Sequence, residues 1–205
     1  MRLCIIRHGE TTFNREERMQ GARDIELTQR GINEAIELGK KLLQECLCPD
    51  CVYTSPVKRA YDTAINLNLN VPIISSVGLK ARSLGILEGM TKSEINLKYP
   101  GYLEFLRHWN WFPPGSDECL KDVFLRAGRQ IDEIVEKECN SKIAVVITHS
   151  GVLEALLRGW LSIEEGAPMP FPLKNAGGLI FKQNYNNWQP DGVIDVGEAG
   201  FVDYA

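Results

Sequence analysis

The sequence has no long apolar run and no excess of positive charge, and both absences exclude classes of partner. No stretch of the 205 residues approaches the roughly 18 consecutive apolar residues of a membrane helix, so we expect no membrane partner. The net charge of -4 implies no basic face, which argues against nucleic acid as the main partner. Any site for an anion must therefore be a local cationic pocket.

The chain also has no room for a signal peptide, because Met1 and Arg2 lead directly into an apolar strand. We therefore expect a cytoplasmic protein with reduced thiols. The composition, 44% hydrophobic and 24% charged, is that of an ordinary globular chain. Its length suits one domain with a full core and an inserted cap.

Six cysteines are present, and three of them, Cys46, Cys48 and Cys51, form a C-x-C-x-x-C pattern. Zinc needs a fourth ligand, and none lies nearby in the sequence. Cys4 and Cys51 fall in predicted strands, where cysteine behaves as a small buried residue. We expect no metal site, and the pattern assigns no role to the three clustered cysteines.

The stretch at the N-terminus organises the chain. Leu3–Ile6 is an apolar run that predicts a buried strand, and Arg7, His8 and Gly9 follow it. Polar groups at the C-terminal end of a parallel strand lie where open α/β sheets bind ligands. Arginine presents a fork of donors that suits phosphate or carboxylate, and histidine can be a nucleophile near neutral pH. Glycine lets the backbone pass close to a ligand.

A second apolar run, Lys142–Thr148, also ends in a histidine, His149. Strands and helices alternate along the chain, which predicts a mostly parallel sheet with helices on both faces. If the two strands are neighbours, His8 and His149 face one cavity, with Arg7 and Arg59 around it. Two cations and two imidazoles match the charge of a phosphoryl group. A metal held by two histidines is disfavoured, because a cation site beside Arg7 without nearby carboxylates would be repulsive.

The pattern predicts the remaining elements in order. Thr28 and Ser55 are expected to cap helices, the second with Pro56 at its first position, and Thr91 and Glu94 form a capping box. The other predicted elements are a helix to about residue 46, a strand over 51–54, a strand over 71–74, a loop over 78–90 and a short helix that Pro100 ends. They continue with a long helix from about 120, a helix over 152–161 and a final pair of strands.

Two irregular segments are candidates for covering the site. Residues 9–27 form a polar loop, too long for a simple connection, that includes Asn14, Gln20 and Arg23. Residues 102–118 are rich in aromatic side chains, and we interpret them as a packed lid or subdomain rather than a ligand stack, because aromatics mostly serve burial.

Taken together, these motifs resemble the histidine phosphatase superfamily, in its phosphoglycerate-mutase-like branch. The resemblance covers most of the chain in order. Its residues are Arg7-His8-Gly9-Glu10-Thr11 with Asn14; Gln20-Gly21, Asp24, Leu27-Thr28 and Gly31; Ser55-Pro56, Arg59-Ala60 and Thr63-Ala64; Gly85 and Glu88-Gly89; Pro114-Gly115, Glu118 and Arg126; and His149-Ser150-Gly151.

The resemblance implies a three-layer α/β/α sandwich with a mostly parallel central sheet and a small helical insertion over the site. Residues 1–205 would form a single histidine-phosphatase domain, with a cap-like insertion at about 82–118. His8 would be the nucleophile, and Arg7, Arg59 and His149 would hold the phosphoryl group. The residues expected to bind substrate are Asn14, Gln20, Gly21 and Ser150.

One position departs from the family pattern. Relatives carry a glutamate as general acid and base four residues before the glycine at Gly85, and this chain has Ala81 there. General acid–base catalysis is worth roughly 10²–10⁴-fold in rate, so the change matters. Three explanations remain. We favour an engineered Glu→Ala change; a substitute carboxylate or a protein that binds a phosphorylated ligand with little turnover are the others. The candidate substitutes are Glu10, Glu88 and Glu118.

The sequence therefore predicts a metal-independent phosphatase that acts on a small phosphorylated metabolite through a phosphohistidine and needs no cofactor. Its polar loop resembles those of fructose-2,6-bisphosphatase-like and α-ribazole-phosphatase-like members. A phosphoglycerate-type phosphomutase and a non-catalytic phosphate-binding protein are the alternatives. The identity of the substrate and the oligomeric state are not encoded in any motif.

Overall fold

A six-stranded sheet runs through the residues that the computed structural model describes, which are 1–138, 143–171, 173–184 and 187–196. The strands are β1 (Arg2–Arg7), β2 (Val52–Thr54), β3 (Ile73–Ser75), β4 (Ile143–Thr148), β5 (Gly178–Asn184) and β6 (Asn187–Ile194). Their order is β3-β2-β4-β1-β5-β6. The first four strands of this order pair in parallel, β5 pairs antiparallel with β1, and β6 pairs antiparallel with β5. The mostly parallel sheet predicted from the sequence is confirmed.

Helices connect the strands and cover the sheet. They are α1 (Thr12–Arg15), α2 (Gln29–Gln44), α3 (Lys58–Asn66), α4 (Lys92–Lys98), α5 (Tyr102–Phe105), α6 (Leu120–Lys137) and α7 (Ser150–Trp160). Two 3₁₀ turns, Val77–Leu79 and Gly85–Leu87, lie between β3 and α4. Among the described residues, every helix is too short or too polar to cross a lipid bilayer.

The side chains of the central strands divide between two apolar cores, as the two-residue period of a strand requires. In β1, Leu3 and Ile5 pack into the core that contains the buried faces of α6 and α7. Cys4 and Ile6 point the other way, into the core that contains the buried faces of α2 and α3. Because both faces of the sheet are covered by helices, the architecture is the expected α/β sandwich.

The register of the two central strands fixes the site. Arg7 at the end of β1 pairs with Thr148 at the end of β4, and the backbone N–H of His8 donates to the Thr148 carbonyl at 2.9 Å. Because the strands are parallel, the residues that follow them leave the sheet at the same edge. His8 and His149 are thereby brought together by backbone pairing alone.

Most predicted elements are confirmed, and one predicted cap is wrong. The cap at Thr28, the capping box of Thr91 and Glu94, the long helix and the final strand pair are all present. Ser55 and Pro56 do not begin a helix, because α3 starts at Lys58 with Val57 as its N-cap. The Ser55 hydroxyl instead bonds to the Val57 N–H and to His149.

Several element boundaries also differ. Strand β3 starts at residue 73 rather than 71, and Pro72, which precedes it, has no N–H to donate to the sheet. Helix α7 starts at Ser150, two residues before the predicted start, with His149 as its N-cap. The predicted start of β4, Lys142, lies outside the described residues.

The segment of residues 82–118 carries α4, α5 and the aromatic side chains. Tyr102 packs edge-on against Trp111 at 5.5 Å between ring centroids, and Phe105 stacks on Trp111 at 5.9 Å. Arg82 ties the segment together by donating to the carbonyls of Leu106 and Trp111 at 2.7 and 3.0 Å. The aromatic side chains therefore pack on one another, as expected for a lid.

Candidate active site

A cavity of about 480 Å³ opens at the C-terminal ends of β1 and β4. All nine site residues predicted from the sequence line it: Arg7, His8, Asn14, Gln20, Gly21, Arg59, Ala81, His149 and Ser150. The size suits a small metabolite. Of residues 102–118, Leu106 lines the cavity, whereas the rings of Tyr102, Phe105 and Trp111 do not.

His8 has its tautomer fixed by its neighbours. Its Nδ1 lies 2.8 Å from the Gly9 carbonyl oxygen, which can only accept, so Nδ1 carries the proton. Its Nε2 therefore has a lone pair, which accepts from Nε of Arg59 at 3.1 Å. Burial, and then the charges of Arg59 and Arg7, hold the pKa of His8 well below its ordinary value. His8 is thus a neutral imidazole that lines the cavity, and the lone pair of its Nε2 accepts the N–H of Arg59 in this structure.

Two guanidinium groups lie near His8, that of the buried Arg59 and that of the half-buried Arg7. Arg59 is only 2% exposed and donates to the carbonyls of Gly21 and Arg23 at 2.8 and 2.7 Å. Burial and repulsion from Arg7 lower the pKa of Arg59 to about 10, and burial lowers that of Arg7 to about 10. Within the described residues, Nε of Arg7 is buried with no hydrogen-bond partner. Cations held so close, at a cost in desolvation, make a strong anion site.

His149 completes the group. Its ring centroid lies 5.3 Å from that of His8, and its Nε2 lies 2.8 Å from Oγ of Ser55. Burial and the charge of Arg59 hold the pKa of His149 well below its ordinary value, so this imidazole is also neutral. Its Nδ1 is buried and has no partner among the described residues, which leaves it available to a bound group.

The polar loop after β1 is shaped by small residues and short-range hydrogen bonds. Asn14 closes a capping box with Thr11 and accepts from the amide of Asn175 at 2.9 Å. Gly21 has a φ of +54°, and a Cβ there would lie 2.0 Å from a carboxylate oxygen of Glu88. Only glycine fits this backbone, and its carbonyl is the one that receives Arg59. Oε1 of Gln20 is buried with no partner among the described residues.

Ala81 lines the opposite side of the cavity and is 3% exposed. The three carboxylates predicted as substitutes for the missing glutamate do not line the cavity. Each is engaged elsewhere: Glu10 with Thr28 and Arg30, Glu88 with the N–H groups of Ala22 and Leu84 and with Arg23, and Glu118 with Arg126. These contacts hold loops and helices in place and do not favour the hypothesis that one of the three replaces the acid, which stays a prediction.

Sequence reasoning missed two carboxylates that do line the cavity, Glu17 and Glu154. Glu17 is exposed on the polar loop. Glu154 lies one turn after Ser150 on α7 and accepts from Nε of Arg158, a fully buried side chain, at 3.0 Å. The spacing of Ser150 and Glu154, four residues apart on a predicted helix, was the available signal.

Three cations on the Ala81 side were also missed: Arg18, Arg82 and Lys92. Arg82 is 6% exposed, and its Nε has no partner within the described part of the chain. It follows Ala81 directly, which was a usable signal. Arg18 is engaged with Glu16, Glu94 and a backbone carbonyl.

The described residues contain no group of three or more histidine, cysteine or acidic side chains that could hold a metal ion. Cys4 and Cys51 are buried, while Cys46 and Cys48 are exposed thiols. Burial raises the pKa of Cys4 to about 12 and that of Cys51 to about 11, which suits small core residues rather than ligands.

Comparison with known proteins identifies relatives over nearly the whole chain. Residues 3–195 match the family model described as the histidine phosphatase superfamily (branch 1). A metal-independent phosphoserine phosphatase of Arabidopsis thaliana is 30% identical, covering 98% of this chain and 84% of that protein. A 2,3-bisphosphoglycerate-dependent phosphoglycerate mutase of Staphylococcus saprophyticus is 27% identical, covering 88% and 93%. The structure of a mycobacterial glucosyl-3-phosphoglycerate phosphatase complexed with VO3 superposes with a TM-score of 0.81 at 27% identity, covering 93% and 96%.

Proposed function

Because the chain belongs to the histidine phosphatase superfamily (branch 1), we propose that it is a metal-independent phosphatase for a small phosphorylated metabolite, with His8 as the nucleophile. The observation that carries the proposal is the state of His8. His8 lines the cavity, and its unprotonated Nε2 accepts from Nε of Arg59, with a second neutral imidazole, that of His149, beside it. A neutral ring nitrogen can attack phosphorus, and the cations match the charge that develops on the phosphoryl oxygens.

The reaction would proceed in two steps. Arg59 would turn its Nε–H from Nε2 of His8 to a phosphoryl oxygen, which frees the lone pair of that nitrogen. Nε2 would then bond to phosphorus while the bond from phosphorus to the leaving oxygen breaks, and Arg7, Arg59 and His149 would hold the phosphoryl oxygens. Water then attacks the phosphohistidine, the N–P bond breaks with its electron pair returning to Nε2, and the excess proton passes to solvent. Nδ1 keeps its proton throughout and donates it in a hydrogen bond to the Gly9 carbonyl, so Nε2 is the nitrogen that accepts and releases the phosphoryl group.

Ala81 makes the first step slow for an alcohol ester. The departing alkoxide is about as basic as hydroxide, whose conjugate acid has a pKa of about 15.7, and it needs a proton that alanine cannot give. We therefore propose low activity on such substrates.

The experiment is a trapping assay on the purified chain. A panel of ³²P-labelled phosphomonoesters, phosphoserine included, is mixed with the protein and quenched with base, because phosphohistidine is labile in acid. Label bound to the chain, lost in acid and absent in His8→Ala, supports the proposal. Label that persists in His8→Ala moves the nucleophile to another residue, and the same variant must also lose all phosphate release.

The phosphomutase alternative is favoured by one observation, the 27% identity with a bisphosphoglycerate-dependent mutase. The two enzymes differ in the acceptor of the phosphoryl group, water for a phosphatase and a second phosphoglycerate for a mutase. Labelled phosphoenzyme chased with 3-phosphoglycerate separates them, since a mutase transfers the label to the sugar acid and a phosphatase releases it as inorganic phosphate. A non-catalytic binding protein would give no phosphoenzyme with any substrate.

We also propose that residues 1–205 act as one domain and that residues 82–118 form the cap that selects the substrate. The contact of Leu106 with the cavity and the bonds from Arg82 to the lid support this role. A cytoplasmic location remains a prediction from the sequence.

A further inference from the structure

We propose that the preferred substrate is a phosphoryl compound whose leaving group departs as a stable anion, above all an acyl phosphate, rather than the phosphate ester of an alcohol. The inference rests on the proposed function, because it assumes that His8 attacks phosphorus. It names the chemical class that this cavity can cleave with the side chains it has.

The cavity needs a proton donor to cleave an alcohol ester, and its acidic side chains are the first candidates. Ala81 has no proton to give, and the acidic side chains that line the described cavity are Glu17 and Glu154. Glu154 is the partner of the buried guanidinium of Arg158 and holds that side chain's charge. Glu17 is exposed on the loop and open to solvent. Neither stands in the position that Ala81 occupies.

The imidazoles are no better as acids. Burial and the neighbouring guanidinium groups keep both His8 and His149 neutral, and the one proton of His8 is held by the Gly9 carbonyl. The donors that face the phosphoryl group are arginines, which stabilise negative charge without giving up a proton. Water is then the acid available to a basic leaving group, and it is a weak one.

In place of a proton donor, the cavity has cationic side chains near Ala81. Directly beside Ala81, Arg82 is 6% exposed and has an unpartnered Nε, and its Cβ lies 3.9 Å from where a Cβ on Gly151 would be. It therefore adjoins the first turn of α7, next to the phosphoryl site. Lys92 also lines this side. These cations can hold a departing carboxylate, which is an anion that needs no proton.

The chemistry balances for an acyl phosphate. Nε2 of His8 bonds to phosphorus, the bond between phosphorus and the acyl oxygen breaks, and the electron pair leaves on a carboxylate. Carboxylic acids have a pKa near 4, so this anion is stable at neutral pH. Water then attacks phosphorus, the N–P bond breaks to restore His8, and the products are a carboxylate and inorganic phosphate, with the excess proton passed to solvent.

The test compares leaving groups in three proteins: the chain as it stands, Ala81→Glu and the matched control Ala81→Gln, which has the same size without an acidic proton. The value of kcat/KM is measured for a series of aryl phosphates from phenyl to 2,4-dinitrophenyl, and for acetyl phosphate and phosphoserine. The present chain should show a steep fall with rising leaving-group pKa, and acetyl phosphate should exceed phosphoserine by at least about 100-fold, the low end of general-acid catalysis.

Ala81→Glu should raise kcat/KM for phosphoserine at least about tenfold and flatten the dependence, because it supplies the proton. The same change should alter the 2,4-dinitrophenyl value by less than about threefold, since that leaving group needs no proton. Ala81→Gln should keep the steep dependence on leaving-group pKa that the present chain shows, because it adds the bulk of a glutamate without an acidic proton.

Two results overturn the inference while leaving the proposed function standing. One is a flat dependence in the present chain, with phosphoserine cleaved within tenfold of acetyl phosphate. The other is a shallow dependence that steepens in Glu17→Gln or Glu154→Gln, which would identify a working acid. Failure to cleave even 2,4-dinitrophenyl phosphate, with no label on His8, would refute the proposed function together with the inference.

Discussion

The two sides of the cavity differ in how complete they are. The strand-end side, defined by Arg7, His8, Arg59 and His149, carries the groups that we propose to bind and accept a phosphoryl group. The crossover side, defined by residues 79–92, carries Ala81, where the proposed reaction needs a proton donor. In the proposed mechanism, holding the phosphoryl group and protonating the leaving group therefore fall to separate segments of the chain.

The difference has a structural cause. The strand-end side is fixed by backbone pairing of β1 with β4, and its side chains are locked by hydrogen bonds to the carbonyls of Gly9, Gly21 and Arg23. Arg7 and His8 belong to the paired ends of β1 and β4, so a change in the backbone there would disturb the pairing of the two strands. The crossover side is built from two 3₁₀ turns and a connecting stretch, so a side chain at residue 81 can be shortened without breaking a strand or helix.

The largest expected effect comes from removing the proposed nucleophile. His8→Ala should abolish phosphoenzyme formation and lower turnover of 2,4-dinitrophenyl phosphate by at least about 10⁴-fold, because the proposed reaction passes through a bond to its Nε2. Quenched labelling and phosphate release measure both effects. The control is His108→Ala, a half-exposed histidine in the lid that pairs with Glu165. Turnover retained in His8→Ala would show that the strand-end side is not the reacting side.

The next effect tests whether the strand-end side depends on geometry as well as charge. Arg59→Lys keeps the positive charge and loses the guanidinium fork that spans His8 and two carbonyls. We expect kcat/KM for 2,4-dinitrophenyl phosphate to fall about 10²–10³-fold, the range for loss of one electrostatic donor. Stabilisation of the fold by inorganic phosphate, measured as a shift in Tm, should also be lost.

The matched control for that change is Arg129→Lys, on the exposed face of α6. It should leave the rate and the phosphate-induced shift unchanged. If Arg59→Lys behaved like Arg129→Lys, simple charge would suffice on the strand-end side, and its buried hydrogen bonds would serve folding alone.

The strand-end side also predicts an unusual pH dependence. The pKa of His8 is lowered, so its reactive neutral form persists as the pH falls below the ordinary value of about 6.5. At pH 5 an ordinary histidine would retain about one thirtieth of its neutral form. We expect the burst of phosphoenzyme from 2,4-dinitrophenyl phosphate, corrected for substrate ionisation, to fall less than about threefold between pH 7 and pH 5. A thirtyfold fall would show that burial does not keep His8 neutral.

The free energy of unfolding should also depend on pH. Below pH 6.5, His8 and His149 bind protons in the unfolded chain but stay neutral in the folded chain. The unfolded state then binds more protons, so the free energy of unfolding falls as the pH is lowered through 6.5. Urea unfolding at pH 7.5 and 5.5 measures the change, and His8→Ala should reduce it.

The strand-end side was the part that the sequence could predict. Apolar runs ending in Arg7-His8 and in His149 specify parallel buried strands, and parallel strands meet at one edge, so the two histidines could be paired without coordinates. Arg59 was placed at the site from its position near the start of a predicted helix, although an arginine on a helix is more often exposed, and the resemblance added its role.

The crossover side could not be predicted in the same way. Which carboxylates reach the cavity depends on how α7 and the loops dock, and this is set by packing rather than by local pattern. Glu10 and Glu118 looked available in the sequence but are engaged by Thr28 and Arg126 in the folded chain. Glu154 and Arg82 line the cavity, and their positions beside Ser150 and Ala81 were a signal, but only the docked structure shows that they reach it. The cap predicted at Ser55 failed for a related reason, because its hydroxyl serves His149.

The smallest expected effect sharpens the boundary between the two sides. Glu10 follows the nucleophile by two residues, yet its carboxylate lies outside the cavity, accepts the Thr28 hydroxyl at 2.8 Å and pairs loosely with Arg30 at 3.6 Å. Glu10→Gln keeps the acceptor for Thr28 and removes the charge. We expect kcat/KM to change less than about twofold and the free energy of unfolding, from urea titration, to fall by at most about 1 kcal/mol, because a half-exposed ion pair contributes little. A tenfold fall in kcat/KM, accompanied by a steeper dependence on the leaving group, would instead show that Glu10 takes part in proton transfer. The segment after β1 would then serve both phosphoryl binding and protonation of the leaving group.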